Sequence, residues 1–106
     1  MPVTAIESLR DFQTLIDSGD VVIVDFWADW CGPCRMMSPI FEQLASIPES
    51  SAIKFTKVDI DTQPEISEEV GIRSLPTFMV FKDGQKLDEL VGANPPGLHT
   101  LIQRHA

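Results

Sequence analysis

The chain has 106 residues, of which 43% are hydrophobic and 23% charged, so we expect a single globular domain over residues 1–106. Eight basic against sixteen acidic residues give a formal net charge of −8, which argues against binding to nucleic acid or to an anionic membrane. No apolar run approaches the roughly 20 residues of a membrane span, and residues 1–7 lack the basic-then-apolar pattern of a secretory signal, so we expect a cytoplasmic protein.

The first half of the chain predicts two strands and two helices in alternation. Residues 3–6 can form a short strand, and apolar residues recur at helical spacing between positions 8 and 17, with Ser8 and Asp11 as a capping pair. Residues 21–28 are mostly apolar and begin with β-branched side chains, which is typical of a buried central strand. A second helix follows, and Pro39 inside it should kink it. We expect its apolar face to hold Met36, Met37, Ile40, Phe41, Leu44 and Ile47.

The second half predicts a strand over residues 53–59, a short helix, a hairpin and a last helix. Pro64 lies in the first turn of the short helix and Gly71 ends it. Residues 77–81 and 86–91 form the hairpin around Asp83 and Gly84. The resulting order, βαβαβαββα, predicts an α/β fold whose mixed sheet has helices on both faces. Asn94 should cap the last helix, whose apolar face holds Leu98, Leu101, Ile102 and His105.

The only two cysteines of the chain, Cys31 and Cys34, follow the predicted central strand and open the second helix. At a helix N-terminus, unpaired backbone amides and the helix dipole favour a thiolate, which is the form that attacks disulfides. Cys34 should be less exposed than Cys31, one turn further into the helix. Gly32 and Pro33 keep the intervening turn tight. The pair is therefore placed for reversible dithiol–disulfide exchange.

Two other uses of the cysteine pair are open on residue types alone. A zinc site could recruit His99 and His105, although the segment between Cys34 and His99 far exceeds the loop of about 12–15 residues in a zinc finger. A purely structural disulfide would close so short a loop that it would restrict the unfolded chain little.

Four segments of this chain together closely resemble the thioredoxin family. They are Asp-Phe-Trp-Ala-Asp-Trp-Cys-Gly-Pro-Cys at residues 25–34, Lys-Val-Asp at 57–59, Ser-Leu-Pro-Thr-Phe at 74–78 and Val-Gly-Ala at 91–93. The resemblance implies an α/β thioredoxin fold, with a central mixed five-stranded sheet flanked by four helices. It also implies a monomer that reduces protein disulfides and is re-reduced by a thioredoxin reductase. Cys31 would attack, Cys34 would resolve the mixed disulfide, and no cofactor or metal is expected beyond the redox-active cysteines.

The same resemblance assigns further residues to the site. Asp25 would be a buried acid with a raised pKa that exchanges a proton with Cys34, rather than a solvated aspartate at a strand edge. Lys57 would neighbour it, rather than being an ordinary strand lysine. Pro76 would form a cis peptide bond beside the cysteines, rather than merely beginning a strand. Trp27 is expected in the core. The docking surface for protein substrates would comprise Trp30, Gly32, Pro33, Ser74, Leu75, Pro76, Val91, Gly92 and Ala93.

Two features depart from the usual family pattern: Arg35 stands where lysine is commoner, and Leu75 replaces a β-branched or small residue. Two alternative functions also follow from the sequence. One is a disulfide isomerase or oxidase of the same superfamily, which the Gly32-Pro33 pair and the lack of a signal disfavour. The other is a binding subunit that uses the same surface without redox turnover.

Overall fold

The computed structural model describes residues 2–106 as five strands and four α-helices, with a short 3-10 turn at Pro48–Ser50. The strands and helices follow one another in the predicted order. Their bounds are β1 Val3–Ala5, α1 Leu9–Ile16, β2 Val21–Trp27, α2 Gly32–Ala45, β3 Ile53–Asp59, α3 Pro64–Val70, β4 Thr77–Lys82, β5 Gln85–Val91 and α4 Pro95–His105.

The five strands form one mixed sheet in the order β1-β3-β2-β4-β5. The first three of these neighbours run parallel, whereas β4 is antiparallel to both β2 and β5. β2 is the central strand, and it places Asp25 opposite Lys57 on β3 and opposite Phe78 on β4. The mixed five-stranded sheet with four helices confirms the predicted fold class.

Helices cover both faces of the sheet, as the strand–helix alternation predicts. Met37 and Phe41 of α2 pack with Ile23 of β2 on one face, where α4 also contributes. Phe12 of α1 and Ile66 of α3 pack on the other face. Within residues 2–106, none of the helices is long and apolar enough to cross a membrane.

The helix ends and the hairpin turn form where the residue types indicate. The side chain of Ser8 accepts a hydrogen bond from the backbone N–H of Asp11 at 3.0 Å, which caps α1. Asn94 caps α4 in the same way. Asp83 and Gly84 have φ values of 52° and 77°, the left-handed pair that a two-residue hairpin turn requires and that Asp-Gly adopts readily.

Two predictions for α2 are wrong. The helix ends at Ala45, so Ile47 lies outside it and precedes the 3-10 turn. Met36 is 50% exposed, whereas Met37 is fully buried. Consecutive helical residues point about 100° apart, and α2 docks on the sheet so that Met37 is buried and Met36 points towards solvent. The apolar spacing alone does not decide between them.

Candidate functional site

The two cysteines lie where β2 ends and α2 begins, and they are joined by a disulfide bond with Cα atoms 5.3 Å apart. Cys31 is the N-cap of α2, and its Sγ accepts a hydrogen bond from the backbone N–H of Cys34 at 3.2 Å. The cysteines are 5% and 3% exposed, so the predicted difference in exposure is small. Gly32 and Pro33 between them are exposed.

The cap geometry explains how Cys31 can carry a negative charge after reduction. A helix leaves its first backbone N–H groups without partners inside the helix, and these groups form its positive end. Pro33 has no N–H, and the N–H of Cys34 is the donor that points at Cys31 Sγ. A thiolate accepts such a bond more strongly than a thiol does, so the helix start lowers the free energy of the ionised form.

Asp25 is a buried carboxyl group near the middle of the central strand, only 3% exposed. Burial raises its pKa to about 7 because the charged form loses its hydration; the nearby Lys57 ammonium opposes this, and the Glu42 carboxylate adds to it. Its Oδ1 has no hydrogen-bond partner among residues 2–106. The predicted burial of this carboxyl group is confirmed, and the direction of its pKa agrees with the prediction.

Asp25 faces the helix that begins with the cysteine pair. Side chains two apart on a strand lie on the same face, and Ile23 packs against Phe41 of α2. A proton acceptor with a pKa near neutrality therefore lies under α2 in the interior of the protein.

Trp27 lies at the edge of the site rather than in the main core, which corrects the prediction made from sequence. It is half-buried and packs on the small cluster formed by Ala28, Cys31 and Cys34. The Nζ of Lys57 lies 6.0 Å from the centroid of its ring. The tryptophan thus contacts the cysteine cluster and also lies near this ammonium group, whose residue is opposite Asp25 in the neighbouring strand.

The exposed Trp30 forms one rim of the site. Its side chain is 66% exposed, and its Nε1 donates a hydrogen bond to Oδ2 of Asp61 at 3.0 Å. The backbone N–H of Asp61 in turn donates to Oδ1 of Asp59. Sequence reasoning did not find Asp61. Parallel pairing of β2 and β3 would have indicated it, because the residues that follow the two strands, here Trp30 and Asp61, then lie at the same edge of the sheet.

The segment around the cis Leu75–Pro76 peptide bond forms the opposite rim. Leu75 packs against the cysteine cluster, and the backbone N–H of Gly92 donates to the carbonyl of Pro76 at 2.9 Å. Gly92 has a φ of 102°, a conformation that residues with a Cβ rarely adopt. Ser74, Val91 and Ala93 are exposed beside these residues. The cis bond expected at Pro76 is confirmed.

The histidines of the zinc alternative lie on α4, away from these contacts. Nε2 of His105 lies 2.9 Å from Oδ2 of Asp88 on β5, and His99 is exposed. Within residues 2–106, no group of three or more His, Cys, Asp or Glu side chains is arranged to hold a metal ion.

Comparison with known proteins gives one consistent result. A family model described as Thioredoxin matches residues 3–104. A thioredoxin from Coprinus comatus is 55% identical over 102 residues, which are 96% of this chain and 96% of that protein. The crystal structure of Malassezia sympodialis thioredoxin (Mala s 13) has a TM-score of 0.95 at 47% identity, covering 97% of this chain and 90% of that one. A thioredoxin structure from Plasmodium falciparum has a TM-score of 0.92 at 39% identity, covering 97% and 99%.

Proposed function

Because this chain belongs to the thioredoxin family, we propose that it carries electrons from a thioredoxin reductase to the disulfides of other proteins in the cytoplasm. The chain is a protein-disulfide oxidoreductase, as thioredoxins are, and it works by dithiol–disulfide exchange. The observation that carries the proposal is the Cys31–Cys34 disulfide at the start of α2, with a backbone N–H directed at Cys31 Sγ.

In the first step, reduced Cys31 attacks the disulfide of a protein substrate. A bond forms between Cys31 Sγ and one substrate sulfur, and the other substrate sulfur leaves as a thiolate and takes up a proton. Cys31 is the attacking residue because its sulfur is the one that accepts the Cys34 N–H, and because exposed Trp30, Gly32 and Pro33 flank it. The product is a mixed disulfide between the two proteins.

In the second step, Cys34 resolves that mixed disulfide. The Cys34 thiol gives its proton to the Asp25 carboxylate, and the resulting thiolate attacks Cys31 Sγ. The Cys31–Cys34 disulfide forms, and the second substrate sulfur leaves as a thiolate. A pKa of about 7 suits Asp25 to this role because the carboxyl group can both accept and release a proton near neutral pH.

Substrates dock on the two rims as an extended main chain. Trp30 and the Gly32-Pro33 turn form one side, and the segment from Ser74 to Pro76 with residues 91–93 forms the other. Such a surface makes few side-chain-specific contacts, which suits an enzyme that acts on many disulfides. We place the chain in the cytoplasm as a monomer, where a reductase returns two electrons to the disulfide.

Insulin reduction driven by a thioredoxin reductase tests the whole cycle. We expect catalytic precipitation of the insulin chains, which would be absent without the reductase or with Cys31→Ser. A Cys34→Ser variant should accumulate a mixed disulfide with the substrate through Cys31, and nonreducing gels and mass spectrometry would detect it. Failure of the intact protein to reduce insulin would contradict the proposal, as would a mixed disulfide trapped through Cys34 by Cys31→Ser but none trapped by Cys34→Ser.

A redox titration against glutathione separates a reductase from an isomerase or oxidase. Thioredoxins have reduction potentials of about −270 mV, and protein disulfide isomerase has one of about −180 mV. We expect a value near the former. A cellular role that survived replacement of both cysteines by serine would instead favour a redox-independent binding subunit.

A further inference from the structure

Four large hydrophobic side chains are exposed among residues 2–106: Trp30, Met36, Leu87 and Val91. Trp30 and Val91 belong to the rims of the site. Leu87 lies on β5, four residues before Val91, so about 13 Å along the strand from the site. Met36 has no role in the mechanism above, although it follows Cys34 by only two residues.

Met36 lies on an exposed stripe of α2 that begins at the cysteine pair. Gly32, Met36 and Pro39 are spaced by four and three residues, so they share one side of the helix. All three are exposed, whereas Met37 and Phe41 on the opposite side are buried. The rise per residue puts Met36 about 6 Å along the helix axis from Gly32, which adjoins Cys31.

The stripe is uncharged in a strongly acidic chain. The chain has sixteen acidic residues, but none lies between residues 30 and 41. Arg35 is the single charged side chain there, and its guanidinium donates a hydrogen bond to the backbone carbonyl of Asp29, before the cysteines. The stripe therefore carries no acidic side chain, and the one cation beside it, the Arg35 guanidinium, lies near Gly32 at its start.

We propose that Met36 is a specificity-determining contact for protein substrates. The docking surface continues from Gly32 along α2, and the Met36 thioether receives an apolar side chain next to the substrate disulfide. Methionine suits this role because its flexible, polarisable side chain adapts to differently shaped partners. This inference rests on the proposed function, since it assigns a further part of the same substrate surface.

The test uses Met36→Gln, which keeps the length of the side chain, adds no charge and removes the apolar surface. Leu87→Gln is the matched control, because Leu87 is 49% exposed and Met36 is 50% exposed. Each protein is reduced beforehand, freed of reductant and mixed with insulin in a single turnover. A parallel series uses 4,4′-dithiodipyridine, a small neutral disulfide that presents no peptide chain or aliphatic side chain to α2.

We expect Met36→Gln to lower the rate constant for insulin about three- to tenfold, and to leave the rate for the small disulfide and the reduction potential unchanged. Met36→Leu should restore the insulin rate, and Leu87→Gln should match the unsubstituted protein. An unchanged insulin rate would overturn the inference, as would equal losses on both substrates. A parent chain that reduces no insulin would instead refute the proposed function.

Discussion

Replacing Asp25 by asparagine should make the oxidised protein more stable relative to the parent as the pH rises from about 4 to about 7. The substitution keeps the shape of a side chain that is 3% exposed, and it removes the negative charge. In the oxidised protein neither cysteine titrates. The Asp25 carboxyl group is then the buried group whose ionisation the experiment follows.

The magnitude follows from the shift in pKa. Burial raises the pKa of Asp25 from its ordinary value of 3.8 to about 7, so the folded state binds the proton more tightly than the unfolded state does. Below about pH 4 the group is protonated in both states and costs nothing. Above that pH the cost rises by about 1.4 kcal/mol per pH unit, and it levels off near 4 kcal/mol above about pH 7.

Urea unfolding followed by circular dichroism measures the effect. We expect the free energy of unfolding of Asp25→Asn to gain about 3 kcal/mol on the parent between about pH 5 and about pH 8. The asparagine amide also has to be buried, which adds an offset of either sign. That offset is the same at every pH, so the slope, and not the absolute difference, tests the reasoning.

Asp20→Asn is the control, because Asp20 is an exposed carboxylate that lies 2.9 Å from Lys54. This contact lowers the pKa of Asp20, so its substitution should give no gain that grows from pH 5 to pH 8. A difference between Asp25→Asn and the parent that stays constant over this range would refute a raised pKa at Asp25. The role of this residue in the mechanism would then lose its main support.

Three further predictions follow. Gly92→Ala should lower the free energy of unfolding by about 1–3 kcal/mol, because the φ of 102° at this position strains any residue with a Cβ. It should also slow insulin reduction, because the Gly92 N–H donates to the Pro76 carbonyl beside the cysteines. A variant with the stability and activity of the parent would contradict this prediction. Asp88→Asn should destabilise the protein by less than about 1 kcal/mol at neutral pH. Contacts with His105 and, more weakly, with Arg104 lower the pKa of Asp88. The difference in unfolding free energy between Asp88→Asn and the parent should therefore shrink as the pH falls below 3.8, where the carboxylate becomes protonated in the unfolded state. A difference that persists at lower pH would contradict the lowered pKa. Dilute hydrogen peroxide should oxidise the exposed Met36 to its sulfoxide before it oxidises the buried Met37 and Met79. Peptide mass mapping measures the order, and earlier oxidation of Met37 or Met79 would show that exposure does not determine it.

The sequence predicts best those features that depend on neighbouring residues. The bounds of β3 agree at both ends because its polar and apolar residues alternate between flanking turns. Asp83 and Gly84 form the hairpin turn because few other residue pairs accept a positive φ at both positions. The burial of Asp25 was expected from the family resemblance, because an apolar strand by itself also allows a solvated aspartate at its edge, and burial then raises the pKa of this carboxyl group.

The features that the sequence does not predict depend on packing between distant segments. The bond from Trp30 to Asp61 exists because two parallel strands end side by side, and their pairing is not encoded in either segment alone. Met36 and Met37 have the same hydropathy, so only the docking of α2 on the sheet decides which one is buried. Trp27 is large and apolar enough for the core, but the chain has already reached the edge of the sheet at that position.

The pairing of β2 with β3 also limits how this site can change. Asp25 lies opposite Lys57 and Trp27 lies opposite Asp59 in one continuous register. Because side chains alternate between the two faces of a sheet, one inserted or deleted residue within β2 would turn Asp25 towards α1 and α3, away from the cysteines. Length changes in these two strands would therefore abolish the site, whereas point substitutions can tune it. Engineered insertions are better placed in the β4–β5 turn, at the far end of β5 from Gly92.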